Sequence, residues 1–153
     1  MRLYKGVSEL DLAPKGAVVT IGNFDGVHLG HQQLLQRVRA HADMIGGTAV
    51  VITFRPHPHF VLRPEAAPHL LNTYEEKHDL LFHYGADLVI EEPFSREFSN
   101  TTPDQFVNQV LVEKLDAKVL YLGYDFAFGK ERSGSLETLR RLAEAREIGR
   151  AHV

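Results

Sequence analysis

The 153-residue chain has a hydrophobic fraction of 44%, which is enough for one sizeable core in a single domain. Its 17 basic and 20 acidic residues are scattered along the sequence, so no basic block predicts a nucleic acid as the main partner. The chain contains no cysteine, no apolar run of membrane-spanning length and no apolar signal-peptide core, so we expect a cytoplasmic protein without disulfides or thiolate metal sites.

Short apolar runs rich in β-branched residues alternate with longer segments of helical period. The four runs predicted as strands are AVVTIG (17–22), TAVVITF (48–54), ADLVIEE (86–92) and KVLYLG (118–123). Such alternation is typical of a parallel sheet that is covered by helices. We therefore predict the α/β class, with a Rossmann-like open parallel sheet and helices on both of its faces.

The segments between these strands are predicted helices. HQQLLQRVRAHADMI carries one apolar face and ends at Gly46-Gly47; the face consists of Leu34, Leu35, Val38, Ala42 and Ile45. NTYEEKHDLLFHYG and TTPDQFVNQVLVEKL each open with Asn or Thr as an N-cap. SLETLRRLAEAREIG is a charged amphipathic helix with Ser135 as its expected cap, and RAHV could begin a fifth strand.

The turn after the first predicted strand, Gly22 to His31, is the main candidate for a ligand site. In an open parallel sheet, ligands bind at the carboxyl ends of the strands. Gly22, Gly26 and Gly30 are spaced four apart, which differs from a dinucleotide-binding fingerprint, and no Gly-Lys-Ser/Thr follows as in a P-loop.

Two histidines, His28 and His31, stand three residues apart at the start of the first helix. There an anion meets backbone N–H groups, the positive end of the helix dipole and two imidazoles. Gly30 removes a side chain between them, which favours close approach of a large group to the backbone. This pattern predicts a polyphosphate site.

Two other interpretations of these histidines remain open. They are surface residues in a chain with nine histidines, or they are a zinc pair on one helix face. The zinc interpretation lacks an evident third and fourth ligand nearby, although His57 and His59 could supply them.

GNFDGVHLGH (22–31) resembles the H-x-G-H signature of the nucleotidyltransferase superfamily, and in its longer form it is similar to the FAD synthetase (FMN adenylyltransferase) module of bacterial bifunctional riboflavin kinase/FAD synthetases. TFRPHP (53–58), the prolines of residues 64–71 with Lys77, and GYDFAFGKERSG (123–134) match further motifs in the same order. The similarity runs from about residue 3 to the end of the chain. Several ordered motifs make it far more specific than H-x-G-H alone.

The resemblance implies a nucleotidyltransferase fold and an adenylyl transfer. In that reaction the phosphate of FMN attacks the α-phosphorus of ATP with Mg²⁺ present, and FAD and pyrophosphate form. His28 and His31 are implied as the catalytic pair that contacts the ATP phosphates, with Gly22, Phe24, Asp25 and Gly30 lining the ATP site. No protein-held metal site is expected.

The resemblance also implies a flavin site, with Phe128 stacking on the ring and Asp125 making a polar contact. Pro56 and Pro58 stiffen the loop after the second predicted strand and are further flavin candidates, although a rigid structural turn explains them equally well. Phe98 is a weaker candidate, and Phe106 is expected in the core.

Family members carry a further I-S-S-T-x-x-R signature, which is implied to hold the ATP phosphates opposite the histidines, and this chain has no such segment. We therefore expect residues 1–153 to be a single adenylyltransferase domain whose C-terminal part is missing, together with any riboflavin kinase domain. Loss of these charge-assisted hydrogen bonds, each on the order of 1.5–3 kcal/mol, could lower activity by orders of magnitude. The alternatives are a non-catalytic nucleotide- or flavin-binding module and a nucleotidyltransferase for another phosphorylated small molecule.

Overall fold

The computed structural model describes residues 1–56, 61, 65, 70–122 and 136–152. Within these residues six strands form one sheet: β1 (Arg2–Tyr4), β2 (Ala17–Ile21), β3 (Thr48–Arg55), β4 (Leu88–Pro93), β5 (Val119–Leu122) and β6 (Gly149–His152). Their order is β1-β4-β3-β2-β5-β6, and every neighbouring pair is parallel. The predicted open parallel sheet is confirmed, with β2 and β3 at its centre.

Among the described residues, five α-helical segments lie between the strands. They are α1 (Leu29–Ile45), α2 (Tyr74–His83), α3 (Arg96–Ser99), α4 (Pro103–Phe106) and α5 (Leu136–Ala145). A π-helical stretch, Val107–Lys114, continues α4 without a break, and short 3₁₀ turns lie at Val7–Glu9 and Asp25–Val27. In the part of the chain described by the structure, no helix has the length and apolar character needed to cross a membrane.

Helices cover both faces of the sheet, as predicted. Alternate residues of the strands point to opposite faces. Val19 and Ile52 belong to a core cluster that includes Phe106 of α4, Leu111 of the π-helical stretch and Ala143 of α5. On the other face, the buried strand residues Val18, Ala49, Val51 and Val89 pack against α1 and α2. The central strands are therefore buried on both sides, which explains their nearly continuous apolar sequence.

The predicted apolar face of α1 is correct except at its end. Leu34, Leu35, Val38 and Ala42 are buried, whereas Ile45 is 42% exposed. Ile45 is the last helical residue, and Gly46 then turns the chain in a left-handed conformation with φ 66° and ψ 32°. The helix thus ends at the predicted glycines, before the next turn of the apolar face could reach the sheet.

The N-caps of α2 and α4 are the threonines Thr73 and Thr102. Each side-chain oxygen accepts a hydrogen bond from the backbone N–H three residues later, and Glu76 or Gln105 reciprocates to form a capping box. Ser135, the expected cap of α5, lies outside the described residues. The strand predicted at RAHV is present as β6, which starts at Gly149 and includes Arg150, Ala151 and His152.

Candidate functional site

The turn between β2 and α1 follows the carboxyl end of a central strand and has an unusual backbone conformation. Phe24, Gly26 and Val27 have positive φ angles of 53°, 78° and 41°. Only glycine adopts this region freely, and a β-branched residue such as valine is an outlier there. Such a conformation persists only where the surroundings impose it, which is common at ligand sites.

Packing and hydrogen bonds hold this turn in place. Phe24 and Val27 are each 2% exposed and pack in the cluster formed by α1, α2, β3 and β4. The Gln32 side chain donates to the Val27 carbonyl at 3.0 Å. The Asp25 carboxylate accepts from the Leu71 backbone N–H at 3.0 Å, so Asp25 secures the loop that precedes α2.

The two imidazoles lie together at the amino end of α1. His28 is the N-cap residue, and its side chain makes no capping hydrogen bond. The rings of His28 and His31 stack with their centroids 3.6 Å apart and their planes inclined by 24°. The rings of Phe24 and His31 form a T-shaped pair with their centroids 5.1 Å apart. His28 is exposed to solvent. The first-turn backbone N–H groups of α1 and both imidazoles therefore occupy one corner.

Aromatic rings lie close to two glycines of the turn. A Cβ at Gly30 would lie 3.1 Å from the His28 ring, and a Cβ at Gly22 would lie 3.2 Å from the Phe24 ring. The sequence-based argument that Gly30 leaves space for a large ligand stays a prediction; in this structure the exposed His28 ring lies beside Gly30.

Lys77 of α2 joins the site from the neighbouring layer. It is 6% exposed, and its Nζ donates to the Asn23 carbonyl at 3.2 Å and to the Thr53 hydroxyl at 3.0 Å. Burial lowers the pKa of Lys77 to about 8, against the raising effects of Glu91 and Asp25 and a further lowering by Arg55.

The sequence interpretation quoted Lys77 only as part of a family motif and gave it no role. One signal was present: a lysine in the first turn of a helix opposes the helix dipole, so a specific partner is expected for it. The partners themselves lie 54 and 24 residues away in sequence and are brought to it by the fold.

A small pocket opens between this turn and the start of α2. It is lined by Asn23, Asp25, Leu70, Asn72, Thr73, Tyr74 and Lys77. The buried side-chain oxygens of Asn23 and Asn72 have no hydrogen-bond partner among the residues described. The pocket therefore presents polar groups next to the histidine-bearing turn.

A second set of charged groups lies beside Lys77, between α2 and the carboxyl ends of β3 and β4. His78 hydrogen-bonds the buried carboxylate of Glu91, and an Arg55 Nη1 lies 3.8 Å from the other oxygen of Glu91. The Arg55 guanidinium also stacks over the Tyr74 ring at 4.3 Å. No group of three or more metal-ligating side chains that could hold a metal occurs among the described residues.

Two of the five predicted flavin residues, Pro56 and Phe98, lie among the described residues. Pro56 follows β3 and is exposed, with a cis peptide bond to Arg55. Phe98 of α3 is half-buried and packs in an aromatic cluster with Phe54, Phe94 and Phe106, at centroid distances of 5.5, 5.8 and 6.4 Å. Phe106 is 1% exposed, as expected for a core residue. Pro58, Asp125 and Phe128 lie outside the described residues.

The fold and site define an α/β protein with a candidate ligand site at the carboxyl end of a central parallel strand. The particular family follows from comparison with known proteins. The chain belongs to the FAD synthetase family, whose model matches residues 11–153.

Three curated relatives illustrate this membership, and each bears the name bifunctional riboflavin kinase/FMN adenylyltransferase. The Escherichia coli K12 protein is 37% identical over 142 residues, covering 92% of this chain and 45% of that protein. The Haemophilus influenzae protein is 36% identical, with coverage of 92% and 46%, and the protein of Buchnera aphidicola from Acyrthosiphon pisum is 32% identical, with coverage of 93% and 45%. The chain thus spans about half the length of the curated relatives it matches.

A solved structure supports the fold. A crystal structure described as a macrolide-efflux protein from Streptococcus pneumoniae superposes with a TM-score of 0.82, covering 99% of this chain and 50% of that one at 24% identity. At this identity the likeness concerns the architecture only.

Proposed function

We propose that this chain transfers the adenylyl group of ATP to FMN. A phosphate oxygen of FMN forms a bond to the α-phosphorus of ATP, the bond from that phosphorus to the β-phosphate bridging oxygen breaks, and pyrophosphate leaves as FAD forms. The observation that carries the proposal is the stacked His28–His31 pair at the amino end of α1, in a chain of the FAD synthetase family.

The geometry of the turn supports charge stabilisation as the chemical role of this corner. Negative charge shifts towards the leaving pyrophosphate during the reaction, and fixed N–H donors stabilise it best where they need no rearrangement. In this proposal His28 and His31 donate to the ATP phosphates, while Gly22, Phe24, Asp25 and Gly30 shape the turn that carries them. The buried ring of Phe24 contributes by holding His31 in place.

The proposal assigns the flavin to the same sheet edge. Pro56 at the end of β3 and Phe98 after β4 lie where strands β3 and β4 end. Pro58, Asp125 and Phe128 complete the proposed flavin contacts by family resemblance.

Mg²⁺ enters as the MgATP substrate. The described residues offer no three-ligand metal group, and the Asp25 carboxylate is already engaged by the Leu71 N–H. The ion would be held by phosphate oxygens and water, together with at most one or two carboxylates, as is usual for Mg²⁺. Bound in this way, it would neutralise phosphate charge.

We further propose that residues 1–153 are one adenylyltransferase domain of a longer protein that also carries a riboflavin kinase domain, as the names of the curated relatives indicate. Small molecules, and not nucleic acids, are the proposed partners. A reaction that consumes ATP fits the cytoplasm, so that location remains part of the proposal.

The test is chromatographic detection of FAD after incubation with FMN and MgATP. We expect FAD with FMN, and none of the corresponding product when pantetheine phosphate or glycerol phosphate replaces it. Tight binding of FMN and ATP without product would favour the non-catalytic module. A chain extended by the family's Ser-Ser-Thr-x-x-Arg segment is expected to turn over faster than residues 1–153.

A further inference from the structure

The Asn23 carbonyl is held by two donors from two different elements. It lies one residue before Phe24, where the left-handed part of the turn begins. The Lys77 ammonium group donates to it at 3.2 Å, and so does the Thr53 hydroxyl, also at 3.2 Å. Lys77 donates in addition to Thr53 at 3.0 Å, so the three groups form a closed triangle. We define this triangle of Asn23, Thr53 and Lys77 as the carbonyl clamp.

The clamp is buried, which makes each of its hydrogen bonds matter more. Thr53 is 0% exposed and Lys77 is 6% exposed. A buried ammonium group is retained only where it is hydrogen-bonded and faces compensating charge. Its charge is compensated by Glu91 of β4 and Asp25 of the turn and opposed by Arg55 of β3. On α2 itself, His78 hydrogen-bonds the same Glu91, and the Tyr74 ring lies 5.3 Å from the Lys77 Nζ.

The clamp holds a stretch of backbone whose φ angles are unfavourable for the residues that occupy it. Phe24 and Val27 occupy conformations that non-glycine residues seldom adopt, and the turn places His28 directly after them. If the Asn23 carbonyl were released, the turn could relax towards ordinary angles and move both imidazoles. A change of about 1 Å in such groups is enough to impair a reaction that depends on positioning.

We propose that Lys77 is a positioning residue: together with Thr53 it holds the Asn23 carbonyl and so fixes the turn that presents His28 and His31 to the ATP phosphates. This inference rests on the proposed function for its consequence, but the clamp itself can be measured without any reaction.

The primary experiment measures hydrogen exchange of the amides of residues 22–31, normalised to intrinsic rates, in the wild type, Lys77→Met and Thr53→Val. Lys118→Met is the matched control, because Lys118 is a surface lysine that pairs with Asp116 and directly precedes the amino end of β5. We expect exchange in the turn to quicken roughly tenfold in both clamp variants and to stay unchanged in the control.

Affinity for MgATP is measured by titration calorimetry on the same four proteins, on the Lys77→Met/Thr53→Val double variant and on Thr53→Ser. We expect the Kd to rise roughly tenfold in Lys77→Met and roughly tenfold in Thr53→Val. Because both donors act on one carbonyl, the rise in the double variant should be smaller than the product of the two single-variant rises. Thr53→Ser, which keeps the hydroxyl, is expected to retain most of the wild-type affinity for MgATP.

The pH profile separates positioning from a general structural role. Because burial lowers the pKa of Lys77 to about 8, the wild-type advantage in ATP affinity over Lys77→Met is expected to shrink as the pH rises from 7.5 to 10.

Folded clamp variants with unchanged exchange in residues 22–31 would overturn the inference. If Lys77→Met failed to fold, Thr53→Val and Thr53→Ser would decide the question alone. Faster exchange in the turn with unchanged ATP affinity would confirm the clamp and refute the proposed phosphate-binding role of the turn.

Discussion

The two imidazoles at the start of α1 are the side chains on which the proposed chemistry depends most directly. We predict that His28→Ala lowers the rate of FAD formation about 100-fold or more, because a fixed donor to the developing charge is lost. His28 is exposed, so the variant should keep the wild-type melting temperature. Steady-state rates with saturating FMN and MgATP measure the effect.

The matched control is His83→Ala, which removes an exposed imidazole at the far end of α2. It should retain full activity. Equal rates for His28→Ala and the wild type would remove His28 from the mechanism.

The buried lysine predicts a pH dependence of stability. Its pKa is about 8 in the folded chain and close to 10.5 when the lysine is exposed by unfolding. Between these values the unfolded chain binds more protons, so the free energy of unfolding contributed by Lys77 rises with pH and is lost as the pH falls through 8. We predict that the stability of the wild type relative to Lys77→Met increases from pH 8 to pH 10, by at most about 1.4 kcal/mol per pH unit.

Urea unfolding of both proteins at pH 7.5 and pH 10 provides this measurement. A constant difference between them would show that Lys77 has an ordinary pKa in the folded chain. The stability trend is opposite to the trend predicted for ATP affinity, so a general alkaline loss of structure cannot mimic both.

At the level of elements, the capping boxes of α2 and α4 offer a matched pair. Thr73→Ala and Thr102→Ala each remove a side-chain cap and should each lower the free energy of unfolding by about 1 kcal/mol. Of these two helices, α2 carries Lys77 in its first turn, next to Thr73 and Glu76, and α4 has no contact with the carbonyl clamp among the hydrogen bonds described above. We therefore predict that Thr73→Ala also weakens MgATP binding, and that Thr102→Ala does not.

Thermal melts and ATP titrations on the two threonine variants test this prediction together. Equal affinities alongside similar losses of stability would mean that fraying of α2 does not reach the turn.

The aromatic cluster after β4 tests the flavin assignment. Phe94 and Phe98 are both half-buried and contact Phe54 and each other, so replacing either by alanine should lower stability by about 1–2 kcal/mol. If Phe98 stacks on the flavin ring, only Phe98→Ala should weaken FMN binding, by about three- to tenfold. Fluorescence titration with FMN distinguishes the two variants, and equal Kd values would exclude Phe98 from the flavin site.

Elements with a strong local pattern were predictable from the sequence, and long-range contacts were not. The four apolar runs became β2 to β5, because buried parallel strands need such runs. The edge strand β1 escaped prediction, since three largely exposed residues carry no periodicity. The π-helical course of Val107–Lys114 was also missed, because its pattern of apolar residues is compatible with an ordinary α-helix.

The same distinction holds within the site. His28 and His31 could be placed at the start of a helix from their spacing and the preceding apolar run. The left-handed angles of Phe24 and Val27 could not be foreseen, because neither residue favours them. The clamp was equally hidden, since it joins three elements through partners far apart in sequence.

For the whole molecule, the parallel topology places the turn, the clamp and the ends of β3 and β4 on one edge of the sheet. Parallel strands all present their carboxyl ends on that side, so a nucleotide and a flavin bound as proposed would lie next to each other. The curated relatives extend to about twice the length of this chain, so each of them has room outside the matched part for the kinase that its name includes.

The fate of the ATP phosphates tests the central claim most directly. The protein is incubated with FMN and with ATP labelled at either the α- or the γ-phosphorus, and the flavin and phosphate products are separated. The account predicts α-label in FAD and γ-label in pyrophosphate, with both transfers abolished in a His28→Ala/His31→Ala variant that still folds. Label from the γ-phosphate in the flavin product, or FAD formation that survives the loss of both histidines, would contradict it.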